Sequence, residues 1–173
     1  EVRGDFDLTE KAHTEVLRLK TAAFIEACLE SGAIIAGASP NVREALRLYG
    51  DRIGLAFQIV DDLLDYRGDK AKTGKPIGTD FRDGQATLPL IHLREKLSPA
   101  EEEIVRMKFG GRPTDEEIRM ISDWMETRGA FAATEETARR YVSEALAALD
   151  ALPETRPKGL LKAVAAYVLD RDR

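Results

Sequence analysis

The feature that most constrains this chain is the spacing of its apolar residues, which recur at every third or fourth position along almost the whole sequence. This spacing is the period of an amphipathic α-helix, and no convincing alternation of the β type interrupts it. The 173 residues fit one compact body, because a single domain usually has about 100–200 residues. We therefore predict an all-α domain of six or seven helices.

Breaks in this pattern divide the chain into helical segments. A first helix is expected from Leu8 to about Ala36, with Asp7 and Glu10 spaced as a capping box at its start. A second runs from about Val42 to Tyr66 and is apolar on more than one face, which is typical of a central helix. A polar, glycine-rich loop follows from Gly68 to Gly84. Further helices are predicted to begin near Thr87, Ser98, Thr114, Ala130 and Lys158.

Composition narrows the class of protein. Hydrophobic residues make up 43% and charged residues 33% of the chain, which is typical of a folded globular protein. The net charge of −5 argues against a sequence-independent nucleic-acid partner, which requires a basic surface. One cysteine, no run of roughly 18 apolar residues and no signal-peptide pattern favour a soluble, cytoplasmic protein without a transmembrane segment.

The second predicted helix carries a cluster of carboxylates at Asp61, Asp62 and Asp65. Asp61 and Asp65 share a helix face one turn apart, and Asp62 lies about 100° around the helix. Like charges at this spacing cost about 0.2–0.5 kcal/mol, a cost that a bound cation would offset. Carboxylate oxygens without nearby His or Cys suit Mg²⁺. Taken alone, the pattern also fits a solvated acidic stripe.

The neighbours of the cluster favour a phosphate ligand. Gln58 precedes the aspartates by one turn, and the glycine-rich loop that follows contains Lys75 and Asp80. Lysine ammonium groups can neutralise phosphates that a metal holds. Carboxylates, a lysine loop and no obvious nucleophile together indicate a diphosphate held by a metal ion. Lys20 and Thr21 in the first helix add to this site only if they face the aspartates.

Four sequence blocks, in this order, resemble the C-terminal half of the trans-isoprenyl (polyprenyl) diphosphate synthases. The blocks are Lys20 to Phe24, Gly54 to Asp65, Gly74 to Asp80 and Ala86 to Ile91. The similarity covers nearly all of residues 1–173. The Thr-Leu-Pro block and the tail resemble the longer-chain, octaprenyl-like members most. The fold implied is the C-terminal part of the isoprenoid synthase helical bundle, which surrounds a deep apolar cavity.

The resemblance also implies roles for individual residues. Asp61, Asp62 and Asp65 match the second Asp-rich motif of the family, which binds Mg²⁺ that bridges to an allylic diphosphate. Asp61 would be the direct ligand, whereas Asp65 and Asp80 would act partly through water. The residues matching the catalytic and diphosphate-binding positions are Lys20, Thr21, Gln58 and Lys75.

The activity implied is that of a prenyltransferase, a transferase of isoprenoid biosynthesis. Such enzymes ionise an allylic diphosphate with the help of Mg²⁺ and condense the cation with isopentenyl diphosphate to make a longer trans-polyprenyl diphosphate. Stabilising the leaving group is the catalytic task, so no nucleophile is needed. His13 and His92 are therefore expected to be ordinary helix residues. Two positions depart from the family pattern: Gln85 replaces a frequent Lys, and His13 replaces a common Tyr.

The first Asp-rich motif of the family is absent before Lys20. We therefore expect residues 1–173 to be the C-terminal half of a polyprenyl synthetase domain, and this chain to be inactive alone. The alternative is a non-catalytic diphosphate-binding or regulatory subunit or fragment whose partner supplies the first motif. Because half a bundle exposes the apolar wall of the cavity, we expect a homodimer or pairing with the missing N-terminal half.

Overall fold

The computed structural model describes residues 2–67 and 76–171, and all regular structure in these ranges is helical. This confirms the all-α prediction. Helix α1 (Glu10–Leu17) continues through a π-helical segment (Arg18–Ala22) into α2 (Ala23–Ile35), and α3 spans Pro40–Arg67. The later helices of the described part are α4 (Thr79–Arg82), α5 (Leu88–Arg94), α6 (Pro99–Lys108), α7 (Asp115–Thr127), α8 (Ala130–Ala148), a 3₁₀ turn (Leu149–Ala151) and α9 (Arg156–Asp170).

None of the helices within the described ranges combines the length and the apolarity needed to cross a membrane. Counted with α1, the π segment and α2 as one helix, the described chain has eight helices rather than six or seven. The additional helix is α4, which lies in the region predicted as a polar loop. Its last residue, Arg82, donates to the Pro113 carbonyl and to Asp115 at 2.8 Å, and these contacts from distant residues stabilise the turn.

Helices α6 and α7 begin with capping boxes at Ser98 and Thr114, two of the residues where the sequence predicted helix starts. The Ser98 hydroxyl accepts from the backbone N–H of Glu101, while the Glu101 carboxylate accepts from the N–H of Ser98 at 2.9 Å. Thr114 and Glu117 repeat this exchange at the start of α7. Each box satisfies two backbone donors that a helix start otherwise leaves without partners.

The start of α1 differs from its prediction. The cap is Thr9, whose hydroxyl accepts from the N–H of Ala12 at 3.2 Å. The predicted capping residue, Asp7, instead accepts two hydrogen bonds from Arg106 at 2.6 and 2.7 Å. The predicted capping box of Asp7 and Glu10 is therefore wrong, because a guanidinium from a distant helix binds the Asp7 carboxylate.

The described chain divides into two compact units, each built from two stretches of sequence. The first unit comprises Glu1–His13 and Asp61–Glu135, and the second comprises Thr14–Val60 and Glu136–Arg173. Length alone predicted one compact body, whereas the structure divides into two units whose three boundaries fall inside α1, α3 and α8. The predicted metal ligands all belong to the first unit.

An apolar core fixes the part of α3 that belongs to the first unit. The Phe109 ring meets the rings of Phe6 and Phe81 edge-on, with centroids 5.3 and 5.5 Å away. Burying one such large apolar side chain stabilises a fold by about 1.5–3 kcal/mol. The carboxylate-bearing end of α3 and the turn α4 are anchored through Leu63, Tyr66 and Phe81 to the rest of this core, which includes Leu8, Leu90, Leu93, Val105, Ile118, Ile121, Met125 and Phe131.

The second unit depends on a close approach between helices at two glycines of α3. A Cβ atom on Gly54 would lie 2.6 Å from the Cα of Ala22, and one on Gly50 would lie 2.8 Å from the Cα of Glu26. Only glycine leaves room for backbones at these distances. Tyr49, also on α3, donates from its hydroxyl to the Leu161 carbonyl of α9 at 2.8 Å, and burial raises the pKa of Tyr49 to about 12.

Candidate active site

The three aspartates of the Asp-rich motif lie on the last turns of α3 in different environments. Asp61 is exposed, Asp62 is buried and Asp65 is half-buried. Helix geometry accounts for this difference, because Asp62 is rotated about 100° from Asp61 towards the interior of the first unit. The three carboxylates therefore cannot play equivalent parts.

Asp65 connects α3 to α4. Its Oδ1 accepts from the backbone N–H of Thr79 at 3.1 Å, and its Oδ2 accepts from the N–H of Asp80 at 3.0 Å. The N–H of Gly78 donates to the Asp65 carbonyl at 2.8 Å. Burial raises the pKa of Asp65, the two backbone donors oppose that shift, and the charge of Asp62 adds to it. Asp65 thus orients the backbone that carries Asp80.

Asp62 pairs with a histidine that sequence reasoning set aside. His13 on α1 places its Nε2 atom 3.2 Å from Oδ2 of Asp62, and both side chains are almost completely buried. Positions 13 and 62 are far apart in the sequence, so no local spacing pattern could have joined them. The departure of His13 from the common Tyr was the only signal in the sequence.

The phenol of Tyr66 lies among the same carboxylates and was also missed. Burial raises the pKa of Tyr66 well above its ordinary value, and the charges of Asp65, Asp80 and Asp62 raise it further. The Thr87 hydroxyl opposes this rise in the pKa, although it completes no well-aligned hydrogen bond. Tyr66 is therefore a neutral phenol close to Asp62, Asp65 and Asp80.

The chemistry of these donors fits Mg²⁺ if the ion is shared with a ligand. Within the described ranges, no three His, Cys, Asp or Glu side chains converge as a complete metal cage. Mg²⁺ does not need one, because it commonly keeps several waters and takes one or two carboxylates together with phosphate oxygens. Asp61 is the most exposed carboxylate of the motif and is therefore the most accessible to a hydrated ion. Asp65 and Asp80 are half-buried.

The remaining predicted site residues fall elsewhere. Lys20 and Thr21 lie in the π-helical segment of the second unit, where the N–H of Ala23 donates to the carbonyl of Arg18 five residues earlier. Single π turns within α-helices often occur at functional sites. Gln58 is buried on α3 in the second unit. Lys75 lies outside the described residues.

The π segment is supported from one side by an ion pair within the second unit. Arg18, its first residue, donates from Nε to the buried Asp51 carboxylate at 2.7 Å and from a terminal nitrogen to Glu15 at 2.9 Å. Together with the contact of Gly54 and Ala22, this pair holds the widened turn that carries Lys20. Sequence periodicity predicted an unbroken helix here and gave no sign of the wider turn.

Comparison with known proteins identifies the family to which this chain belongs. The polyprenyl synthetase family model matches residues 1–125. The octaprenyl diphosphate synthase of Escherichia coli (strain K12) is 33% identical over 170 residues, which cover 98% of this chain and 53% of that protein. The crystal structure of a decaprenyl diphosphate synthase from Rhodobacter capsulatus matches with a TM-score of 0.91 and 36% identity, over 99% of this chain and 53% of that one.

A third similar protein was solved with ligands. The polyprenyl synthase from Caulobacter crescentus CB15, complexed with calcium and isoprenyl diphosphate, has a TM-score of 0.91 and 35% identity. The match covers 99% of this chain and 52% of that chain. The helices described above thus have the isoprenyl synthase fold. The chain belongs to the polyprenyl synthetase family, as its motifs predicted, and it spans about half the length of the curated relatives it matches.

Proposed function

We propose that this chain is the C-terminal half of a trans-prenyltransferase, which condenses isopentenyl diphosphate with an allylic diphosphate. The observation that carries the proposal is the arrangement of the first unit. Asp61 is exposed on α3, while Asp65 binds the backbone of the turn that carries Asp80. This arrangement supports a site for a hydrated divalent cation and a diphosphate.

In this proposal Asp61 binds Mg²⁺ directly, and Asp62, Asp65 and Asp80 complete the acidic environment. The bound ion would neutralise the charge that develops on the departing diphosphate. Lys20 and Lys75 supply positive charge to that diphosphate, and Thr21 and Gln58 supply polar groups to the site. The calcium and isoprenyl diphosphate bound by the Caulobacter relative support this choice of ligands.

The reaction requires no nucleophilic side chain. The allylic C–O bond breaks, and its electron pair leaves with the diphosphate oxygen. The double bond of isopentenyl diphosphate then forms the new C–C bond, and transfer of a proton to the released diphosphate restores a double bond in the longer product. The protein's contribution to the first step is electrostatic stabilisation of the leaving group, which is commonly the largest single contribution to catalysis.

We propose that the chain works with a second element that carries the first Asp-rich motif, and that the reaction takes place in the cytoplasm. That element is either the N-terminal half of the same protein, in which case two complete copies form a homodimer, or a separate subunit that pairs with this chain. The relatives are about twice as long as this chain, which supports a missing element of similar size.

Reconstitution tests the proposal. The chain is mixed with the N-terminal half of the Escherichia coli relative, and incorporation of labelled isopentenyl diphosphate into a longer prenyl product is measured with and without Mg²⁺. We expect no product from the chain alone and Mg²⁺-dependent product from the mixture. The two halves of the relative serve as the positive control. If they form product and the mixture does not, the catalytic proposal fails and the non-catalytic diphosphate-binding alternative is favoured.

A further inference from the structure

The contact between His13 and Asp62 is a buried polar pair that the proposed chemistry leaves unexplained. The side chains of His13 and Asp62 are only 5% and 7% exposed, and Nε2 lies 3.2 Å from Oδ2. The main chain at His13 is held in the first turn of α1, where the N–H of His13 donates to the Thr9 carbonyl at 2.9 Å. Both residues belong to the first unit.

A carboxylate at the position of Asp62 is costly unless a donor compensates it. Removing a charged group from water costs on the order of several kcal/mol. Interactions with neighbouring groups offset that cost only when their geometry is good. The charge of Asp62 is felt by its neighbours, since it raises the pKa of both Asp65 and Tyr66. Nε2 of His13 lies 3.2 Å from Oδ2 but is not aligned for a full hydrogen bond, so an Nε2–H group compensates the carboxylate by close electrostatic attraction.

We propose that His13 is a positioning residue of the metal–diphosphate site. Its Nε2–H faces Oδ2 of Asp62 at 3.2 Å and attracts that carboxylate towards the interior of the first unit. The end of α3 then presents Asp61 as the direct ligand, and Asp62 adds negative charge from the interior. A neutral imidazole is sufficient for this role. The claim that His13 affects binding of the metal ion and diphosphate rests on the proposed function.

The pair itself can be tested without any ligand. The chain has two histidines, so ¹⁵N-histidine labelling gives two sets of ring resonances, and His92 on α5 is the internal control. We expect a proton on Nε2 of His13, and a change in the ring resonances of His13 but not of His92 in Asp62→Asn. A bare Nε2 on His13 in the unsubstituted chain overturns the inference. That result needs no variant, so it stands even if Asp62→Asn fails to fold.

The positioning role is tested by Mg²⁺-dependent binding of inorganic pyrophosphate to the chain, measured by isothermal titration calorimetry. We expect His13→Leu to weaken binding about tenfold, because residues that orient metal ligands typically contribute 10–100-fold to affinity. His13→Gln keeps an N–H donor and should restore most of the affinity. His92→Leu makes the same change at the other histidine and should leave affinity unchanged.

Two results would overturn this role. Equal losses in His13→Leu and His13→Gln would mean that only packing at position 13 matters, and unchanged binding in His13→Leu would mean that the donor is irrelevant. An unsubstituted chain that binds no Mg²⁺–pyrophosphate contradicts both the proposed function and the ligand-directed role of His13. In that case, a protonated Nε2 of His13 that responds to Asp62→Asn would still support the His13–Asp62 pair. Failure of the proposed function can therefore be distinguished from failure of the pair.

Discussion

Three aspartates of one motif, Asp61, Asp62 and Asp65, differ in exposure and surroundings. Asp65 binds two backbone N–H groups of α4, Asp62 lies against His13, and Asp61 is exposed. In the function proposed here, this is a division between one carboxylate that meets a hydrated ion and two that organise the surrounding protein. Treating the three residues as interchangeable ligands would miss this division.

The helical period correctly placed Asp61 and Asp65 one turn apart on α3, whereas their binding of a metal ion stays a prediction. The partners of the buried carboxylate were not predictable, because His13 and Tyr66 meet the cluster only through tertiary packing. Asp80 was predicted near the site, but its mode of attachment, through the Asp65 carboxylate, depends on a helical turn that the loop composition did not indicate.

Glu101 provides a prediction about acid stability. Its pKa is lowered to about 2, first by the hydrogen bond from Arg128 and then by the donors of Ser98. A carboxyl whose pKa falls on folding stabilises the folded state above its unfolded value of about 4.5, and that contribution is lost as the pH falls towards about 2. We expect Glu101→Gln to flatten the acid side of the stability profile, measured by urea unfolding across this range.

The matched control is Glu103→Gln, an exposed glutamate of the same helix α6. This substitution removes an equal charge but leaves the capping box and the ion pair of Glu101 and Arg128 in place. In that pair, a terminal guanidinium nitrogen of Arg128 lies 2.5 Å from Oε1 of Glu101. A stability profile for Glu101→Gln that has the same acid slope as Glu103→Gln would contradict the assignment of acid sensitivity to this pair.

At the scale of elements, the widened turn that carries Lys20 and Thr21 is stabilised by a contact far away in sequence. Gly54 of α3 lies against Ala22, the last residue of the π segment. Apolar spacing located the two ends of the helical segment that contains this turn to within a few residues. It could not reveal the turn, because the turn depends on contact with the neighbouring helix α3.

We expect Gly54→Ala to destabilise the chain by about 1–3 kcal/mol, the usual cost of overpacking a tight core. The new methyl group would lie 2.6 Å from a backbone atom, so the π segment and α3 must separate. Chemical denaturation measures the change in the free energy of unfolding.

Gly159→Ala on α9 is the matched control for Gly54→Ala. In the described part of the chain, no atom of a neighbouring element lies within 4 Å of the position that the new methyl group would take. This change should therefore stabilise the helix by up to about 1 kcal/mol through helix propensity. Equal effects of the two substitutions would contradict the close-approach role of Gly54.

At the scale of the whole molecule, large apolar side chains remain on the surface of the second unit. Leu19 and Phe24 are each 73% exposed, and Ile35 is 87% exposed. Exposed apolar residues grouped on neighbouring turns mark association surfaces more often than isolated ones do. The chain also spans about half the length of its relatives, so a covering element is expected.

We expect the chain to self-associate at micromolar concentration in sedimentation velocity experiments. The double substitution Leu19→Ser and Phe24→Ser should shift the chain towards the monomer. It removes two apolar side chains that are each 73% exposed. Met107→Ser removes an exposed apolar side chain of the first unit and is the control. A stable monomer of 19.2 kDa in the unsubstituted chain would contradict this expectation.

The turnover of Asp61→Ala tests the central claim most directly. The variant is measured in the assembled protein, which also carries the first Asp-rich motif, with Asp123→Ala on α7 as the control for loss of an exposed carboxylate of the first unit. We predict that Asp61→Ala lowers kcat by at least about 100-fold, the scale expected when stabilisation of a leaving group is lost, while Asp123→Ala retains full activity. A kcat for Asp61→Ala close to that of the unsubstituted protein would contradict the assignment of Asp61 as the metal ligand.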